Sequence, residues 1–211
     1  MKRSRLWFVL ICMAVLVAPL AAKTLTLTDE DCDRMAHIGE QAPRSSWVGM
    51  EVSTGIFFNT SIDLVPGRAF LIRFPIEIPK DQKITKAELT FSVAYAPNDH
   101  KIQIRRVIAS WGAGVSWQNR AVRPKKIEWA SSGGKSGGKD RVTKPTATAK
   151  AKTGGEVTVN LTEDVELWYS GAATNEGWMF TVDDPDGFVR LTSPTWIAAG
   201  TWKLQITYEP K

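Results

Sequence analysis

The chain is poor in cysteine and histidine, and this excludes several kinds of protein. Cys12 lies in an apolar N-terminal run, so removal of that run would leave Cys32 alone and allow no intramolecular disulfide. The two histidines, His37 and His100, are far apart and have no Ser, Cys or metal-ligand pattern around them. The sequence therefore predicts a protein that is stabilised by its core and that has no catalytic residues and no cofactor.

Long apolar runs are also missing after the N-terminus. Three basic residues precede an apolar stretch over residues 6–20, which is too short to span a bilayer comfortably, and Ala22 offers a cleavage point. We predict that residues 1–22 are a signal peptide and that residues 23–211 form one domain. The protein would then be secreted, extracellular or periplasmic, with no membrane span after signal removal. An uncleaved N-terminal anchor is the alternative.

Positive charge is concentrated in one part of the chain. Residues 101–152 are rich in Lys and Arg and contain only two acids, Glu128 and Asp140, whereas the rest of the mature chain is acidic. Such a split favours an anionic partner on one side of the molecule. Within this part, residues 131–155 are rich in Gly, Lys, Thr and Ala and have almost nothing to bury, so we predict a mobile loop there.

Alternation of apolar and polar residues predicts an all-β protein. The clearest segment is 87–95, in which Leu89, Phe91, Val93 and Tyr95 are expected to face the core. Further strands are predicted over residues 69–74, 101–107, 157–161, 178–182 and 202–208. Strands of this kind pack as two layers around one core, so the fold class is a two-sheet antiparallel β-sandwich of jelly-roll type with one short helix.

The one helix is predicted between two strands. Thr162 is a plausible N-cap, Glu163 and Asp164 suit the positive end of the helix dipole, and Gly171 can end the helix. Trp168 then falls on the buried side. We expect this helix to close one open end of the sandwich.

Several short elements follow one another in a fixed order over residues 69–208. They are residues 69–74 and then 84–89; Trp111 with Val115, Ser116 and Trp117; Trp129 before Gly133, Gly134 and Asp140; residues 165–168 with Gly171, Asn175 and Gly177; and residues 203–208. Their order and spacing resemble those of the DNRLRE-domain family, although residues 31–66 depart from its opening strands. The resemblance implies a secreted β-sandwich similar to modules that bind acidic polysaccharides such as alginate.

The basic segment also contains tryptophans, which suggests a binding site. The candidate ligand-binding residues are Arg105, Arg106, Trp111, Trp117, Arg120, Arg123, Lys125, Lys126 and Trp129. An Arg side chain can hold a uronate carboxylate bidentately while an aromatic ring stacks on the face of a sugar. A solvated charged face for the cations, and a packing role for the tryptophans, are the alternatives.

Two acidic clusters, residues 29–33 and 183–187, could offer oxygen ligands to a structural Ca²⁺. Residues 183–187 lack the spacing of a calcium loop and are more typical of a Pro-Asp-Gly turn, so we expect no metal site. Nucleic acid would be attracted by the same positive charge as a polysaccharide, but export makes it a poor partner.

The sequence thus predicts a secreted, non-catalytic carbohydrate-binding module for an acidic, uronate-type polysaccharide or a matrix that contains one. The first alternative is a structural or adhesive protein of an envelope or extracellular matrix, in which Cys32 or residues 131–155 mediate assembly. A polysaccharide lyase or hydrolase comes third, because paired carboxylates remain possible but no catalytic pattern is present.

Overall fold

The computed structural model describes residues 21–51, 61–193 and 202–211, and for residues 46–51 it describes the backbone alone. All but the last two residues of the predicted signal peptide lie outside these ranges. The strands are β1 (Lys23–Thr28), β2 (Arg34–Gly39), β3 (Ser46–Glu51), β4 (Ser61–Leu64), β5 (Arg68–Arg73), β6 (Gln82–Tyr95), β7 (Lys101–Arg106), β8 (Asn119–Ala121), β9 (Ile127–Glu128), β10 (Ala147–Lys150), β11 (Gly155–Asn160), β12 (Trp178–Val182), β13 (Val189–Thr192) and β14 (Lys203–Pro210), and the helix is α1 (Thr162–Tyr169). Within the described ranges, no helix is long and apolar enough to cross a membrane.

Two antiparallel sheets and one small hairpin account for these strands. Sheet 1 has the order β1-β14-β6-β13-β4. Strands β14 and β13 pair with successive parts of one edge of β6, and β11 pairs with the opposite edge. Sheet 2 has the order β10-β7-β12-β5-β2-β3, and β8 pairs with β9 separately. The all-β antiparallel class predicted from alternation is therefore confirmed.

The two sheets share a core of aromatic and aliphatic side chains. Phe91 of β6 lies with its ring centroid 5.4 Å from that of Phe180 of β12 and 5.1 Å from that of Trp202, which precedes β14. Leu89 and Val93 flank Phe91 on the same buried face of β6. Because these contacts join residues of both sheets, the sheets pack face to face as a β-sandwich.

Tyr95 departs from the predicted alternation, since its side chain is 47% exposed. In the ladder between β6 and β13, Arg190 is opposite Tyr95 and Leu191 is opposite Val93, which leaves Ala94 as an extra residue on β6. An extra residue of this kind is a β-bulge, and it interrupts the regular alternation of side chains. The expectation that Tyr95 faces the core is therefore wrong.

Helix α1 begins one residue earlier than predicted. Thr162 is the first helical residue rather than the N-cap, and its hydroxyl oxygen accepts a hydrogen bond of 2.8 Å from the Ala87 N–H of β6. The Asn160 side-chain oxygen accepts from the Thr162 N–H instead. Gly171 follows the helix with φ of 76°, and Trp168 packs against Trp178 with ring centroids 4.7 Å apart. The helix is thus fixed to both sheets.

A second cluster of apolar side chains covers the outer face of sheet 2. It joins outward-facing residues of the sheet to side chains from the segment between β7 and β10. Its buried members are Ala36, Ile38, Ala69, Leu71, Val107, Trp111, Val115, Trp117, Trp129 and Met179. Strands β2, β5 and β12 of sheet 2 are therefore covered on both faces, and all five residues of β12 are buried.

Residues 131–155 contain more structure than the predicted mobile loop. Residues 147–150 form β10 at an edge of sheet 2. The buried Asp140 carboxylate accepts backbone N–H bonds from Ala130 (2.9 Å), Ser131 (3.0 Å) and Ser136 (3.1 Å), so it closes the preceding turn. Gly133, with φ of 77°, packs on the ring of Trp117, where a Cβ would come within 2.5 Å of the ring. This structure was not predicted because small residues packed against the Trp117 ring leave no apolar pattern in the sequence.

Candidate functional site

The three tryptophans of the predicted site are buried, with exposed fractions of 3% for Trp111, 7% for Trp117 and 6% for Trp129. The indole N–H of Trp111 donates to the Glu176 carbonyl oxygen (2.8 Å), and that of Trp129 donates to the Ser116 carbonyl oxygen (2.9 Å). Side chains held in this way cannot offer a ring face to a sugar. The expectation that they form exposed platforms is wrong, and the packing alternative is correct.

Three of the predicted arginines are committed to contacts within the protein. Arg105 is buried and donates to Asp183 Oδ2 (2.7 Å), and the Nε of Arg106 donates to Asp164 Oδ1 (2.9 Å). Arg120 donates to the Ser110 carbonyl oxygen.

The other three cations of the predicted site, Arg123, Lys125 and Lys126, are exposed on the connection between β8 and β9. The nine residues of that site are thus divided between a buried cluster, internal hydrogen bonds and ion pairs, and an exposed connection. They do not form one surface.

A different cleft lies on the outer face of sheet 2, with a cavity volume of about 290 Å³. It is lined by Pro66, Gly67, Arg68, Ala69, Trp117, Gly133, Lys135, Arg141, Thr181, Val182 and Asp183. We call it the Arg141 cleft. The start of β5, the turn closed by Asp140 and the end of β12 all contribute to it, so its walls come from segments far apart in sequence.

Arg141 is a half-buried cation of this cleft that has only a weak hydrogen-bond acceptor among the described residues. Its Nη1 donates to Met179 Sδ at 3.3 Å, and a thioether is a weak acceptor. Among the described residues, no carboxylate or carbonyl oxygen accepts a hydrogen bond from its guanidinium. Burial and the nearby Arg105 lower the pKa of Arg141, whereas Asp183 and Asp140 act in the opposite direction. A guanidinium has five N–H donors, so most of its hydrogen-bonding capacity is available to an anion.

Two further cations line the same cleft. Lys135 is exposed, and its Nζ lies 4.8 Å from the centroid of the Trp117 ring. Arg68 Nη1 lies 4.0 Å from Asp63 Oδ2. Asp183, the one carboxylate of the described lining, is already paired with Arg105. The cleft therefore has an excess of positive charge that suits a negatively charged ligand.

Sequence reasoning missed these three cations for different reasons. Lys135 and Arg141 fall in the segment that was expected to be mobile, and Arg68 lies in another part of the chain. The available signal was Asp140, an isolated acid after a Gly-rich turn in a basic segment, which is the kind of residue that closes such a turn.

The two acidic clusters are engaged with the protein itself. Asp31 Oδ2 accepts the Thr28 N–H (2.7 Å), and Asp33 pairs with Arg73. In the second cluster Asp184 lies 3.4 Å from the Nδ1 of His100. No group of three or more His, Cys, Asp or Glu side chains that could hold a metal ion occurs among the residues described.

Burial of His37 in β2 is expected to make the folded protein less stable in acid. Its side chain is 3% exposed, its Nε2–H donates to the Asp63 carbonyl oxygen (3.0 Å), and burial lowers its pKa from 6.5 to about 4, with Arg68 acting in the same direction and Asp63 against it. The unfolded chain binds a proton near pH 6.5 and the folded protein only near pH 4. We therefore expect this residue to cost the folded state on the order of 3 kcal/mol as the pH falls through that window.

Urea unfolding at several pH values measures this effect. His37→Gln keeps an N–H donor but does not titrate, so its stability should fall less than that of the wild-type protein on acidification. Parallel pH profiles for the two proteins would contradict the assignment.

The chain matches no protein-family model, and no curated protein matches its sequence. The resemblance to the DNRLRE-domain family therefore stays a prediction from its short sequence elements.

Proposed function

We propose that the protein is a secreted carbohydrate-binding module that holds an acidic, uronate-type polysaccharide in the Arg141 cleft without cleaving it. The observation that carries this proposal is Arg141 itself, a half-buried guanidinium whose side-chain partner is a thioether sulfur. A planar guanidinium matches a carboxylate in geometry and can bind it through two parallel N–H bonds. A uronate carboxylate would supply the acceptors that Arg141 lacks.

The rest of the cleft suits a ligand that carries hydroxyl groups as well as negative charge. Thr181 Oγ1 and the Asp183 carboxylate lie beside the cations, and these oxygens can accept hydrogen bonds from sugar hydroxyls. A few convergent polar groups of this kind fix the orientation of a bound ligand. The combination favours a sugar acid over a simple inorganic anion.

A binding role without catalysis fits the acid–base groups of the cleft. Asp183 is the one carboxylate in the described lining, and Arg105 holds it at 2.7 Å. Most glycosidases use two carboxylates on opposite sides of the bond that breaks. A single paired carboxylate supports retention of a polysaccharide rather than hydrolysis.

The structural or adhesive alternative proposed Cys32 as one group that could link chains, and the environment of Cys32 does not favour this. The Cys32 thiol is 3% exposed, and burial together with Asp33, Asp29 and Asp31 raises its pKa above the usual range. A buried thiol with a raised pKa is a poor cross-linking group. Cys32 therefore supports packing in the core rather than assembly of chains.

Affinity electrophoresis tests the proposed function. The wild-type protein should be retarded in native gels that contain alginate or pectate and not in gels that contain neutral glucan. Arg141→Ala should weaken retention in the acidic gels at least about tenfold, because a hydrogen-bonded charge pair contributes about 1.5 to 3 kcal/mol.

Arg123→Ala is the matched control, because it removes the same charge from an exposed position outside the cleft. It should leave retention close to that of the wild-type protein. Equal mobility of the wild-type protein in every gel, or equal losses in the two variants, would refute the proposal. Circular dichroism of both variants shows that any loss is not caused by unfolding.

A further inference from the structure

Tyr95 is the aromatic side chain most open to solvent among the described residues. The bulge at Ala94 leaves its ring 47% exposed, and the ring centroid lies 5.9 Å from that of Phe188 at an interplanar angle of 63°. Large aromatic rings are usually buried, and a ring held outward on a strand offers a rigid apolar plane. We call Tyr95 and Phe188 the aromatic platform.

A chain of side-chain contacts links the aromatic platform to the Arg141 cleft. The Arg190 guanidinium lies 5.5 Å from the centroid of the Phe188 ring, and it donates to Asp63 Oδ1 (2.6 Å) and Oδ2 (3.1 Å). Asp63 Oδ2 is also 4.0 Å from Arg68, which lines the cleft. Asp63 and Arg190 belong to sheet 1 and Arg68 to sheet 2, so these contacts run around the rim of the sandwich.

The backbone links the same two places. Asp183 lines the cleft, and the turn that follows it leads directly to Phe188. The Gly187 N–H donates to the Asp184 carbonyl oxygen (2.9 Å), and a Cβ on Gly187 would collide with Val182. The turn is therefore folded tightly onto the end of β12. This fixes the position of Phe188 relative to the cleft.

We infer that the aromatic platform and Arg190 form a second subsite for the same polysaccharide, so that one chain runs from the Arg141 cleft past Arg68 to Tyr95. A sugar ring stacks on Tyr95, and Arg190, whose side chain is 43% exposed, donates to a carboxylate or hydroxyl of that unit. This inference rests on the proposed function and extends it, because it makes an extended acidic chain the ligand. Two linked subsites bind a long chain more tightly than either subsite binds a short one.

Calorimetric titration with alginate oligosaccharides of two lengths tests the path. Tyr95→Ala should weaken binding of an octasaccharide about three- to tenfold and leave binding of a disaccharide unchanged. Arg141→Ala should weaken the binding of both. Tyr95→Phe keeps the ring and should bind as the wild-type protein does, and Ile108→Ala, which removes an apolar side chain that is exposed elsewhere, should do the same.

The outcomes separate the path from the function. If Arg141→Ala weakens both ligands and Tyr95→Ala weakens neither, or weakens both equally, the second subsite is refuted and the cleft stands. If Arg141→Ala binds as the wild-type protein does, the cleft is refuted. If the wild-type protein binds neither oligosaccharide, both proposals fall.

Discussion

Asp164→Ala is expected to lower the free energy of unfolding by about 3 to 5 kcal/mol. Asp164 lies in the first turn of α1, is 3% exposed, and accepts hydrogen bonds from Arg106 Nε (2.9 Å) and from the indole N–H of Trp178 (2.8 Å). Burial raises its pKa, although these donors act in the opposite direction. The substitution removes the carboxylate that balances the Arg106 charge, and it leaves a buried indole N–H without an acceptor.

Urea unfolding followed by tryptophan fluorescence measures this loss. Glu163→Ala removes an exposed carboxylate from the same turn and should change stability by no more than about 0.5 kcal/mol. The double variant Asp164→Ala/Arg106→Leu should recover part of the loss, because it removes the charge that was left unbalanced. If Asp164→Ala and Glu163→Ala both had similarly small effects, the buried ion pair would not hold α1 to sheet 2.

Trp117→Ala should also cost about 3 to 5 kcal/mol, the usual range for loss of a buried large aromatic side chain. The Trp117 ring packs beneath Gly133 in the cluster that covers sheet 2, and 7% of the residue is exposed. From the sequence alone, this substitution would be expected to weaken polysaccharide retention and leave the fold intact. The structure instead predicts a loss of stability together with displacement of Lys135, which lies over the ring.

Thermal and urea unfolding distinguish the two expectations. Ile127→Ala removes an exposed apolar side chain from the nearby β9 and should have little effect. Gly133→Ala changes the other partner of this contact and should also destabilise the protein. Its Cβ would collide with the Trp117 ring, and alanine is strained at a backbone φ of 77°. Wild-type stability in Trp117→Ala would mean that the ring is not part of a packed cluster.

Alternation predicted the layers of the fold because it reflects burial of one face of a strand. It succeeded for Leu89, Phe91 and Val93. It failed at Tyr95 because the extra residue in the bulge turns the side chains that follow to the opposite face of the sheet. A bulge of this kind depends on the partner strand β13, which is distant in sequence. The alternation of a single strand therefore gives no sign of it.

The candidate site was harder to predict than the fold. The sequence shows that Trp111, Trp117 and Trp129 lie near many cations, but it does not show that their segment folds back over the outer face of sheet 2. That packing buries the aromatic rings and leaves Arg141 in a cleft with Arg68. Both results depend on contacts between distant segments, which local composition does not encode.

Strands β5 and β12 of sheet 2 are covered on both faces, and this limits their local unfolding. The amides of β12 and β5 are shielded by apolar side chains above and below, so we expect these strands to be among the last to open in local unfolding. Thr181 and Ala69, two residues of the Arg141 cleft, belong to these strands. On this wall of the cleft a ligand would meet groups that are already in place, so little ordering of these residues would oppose its binding.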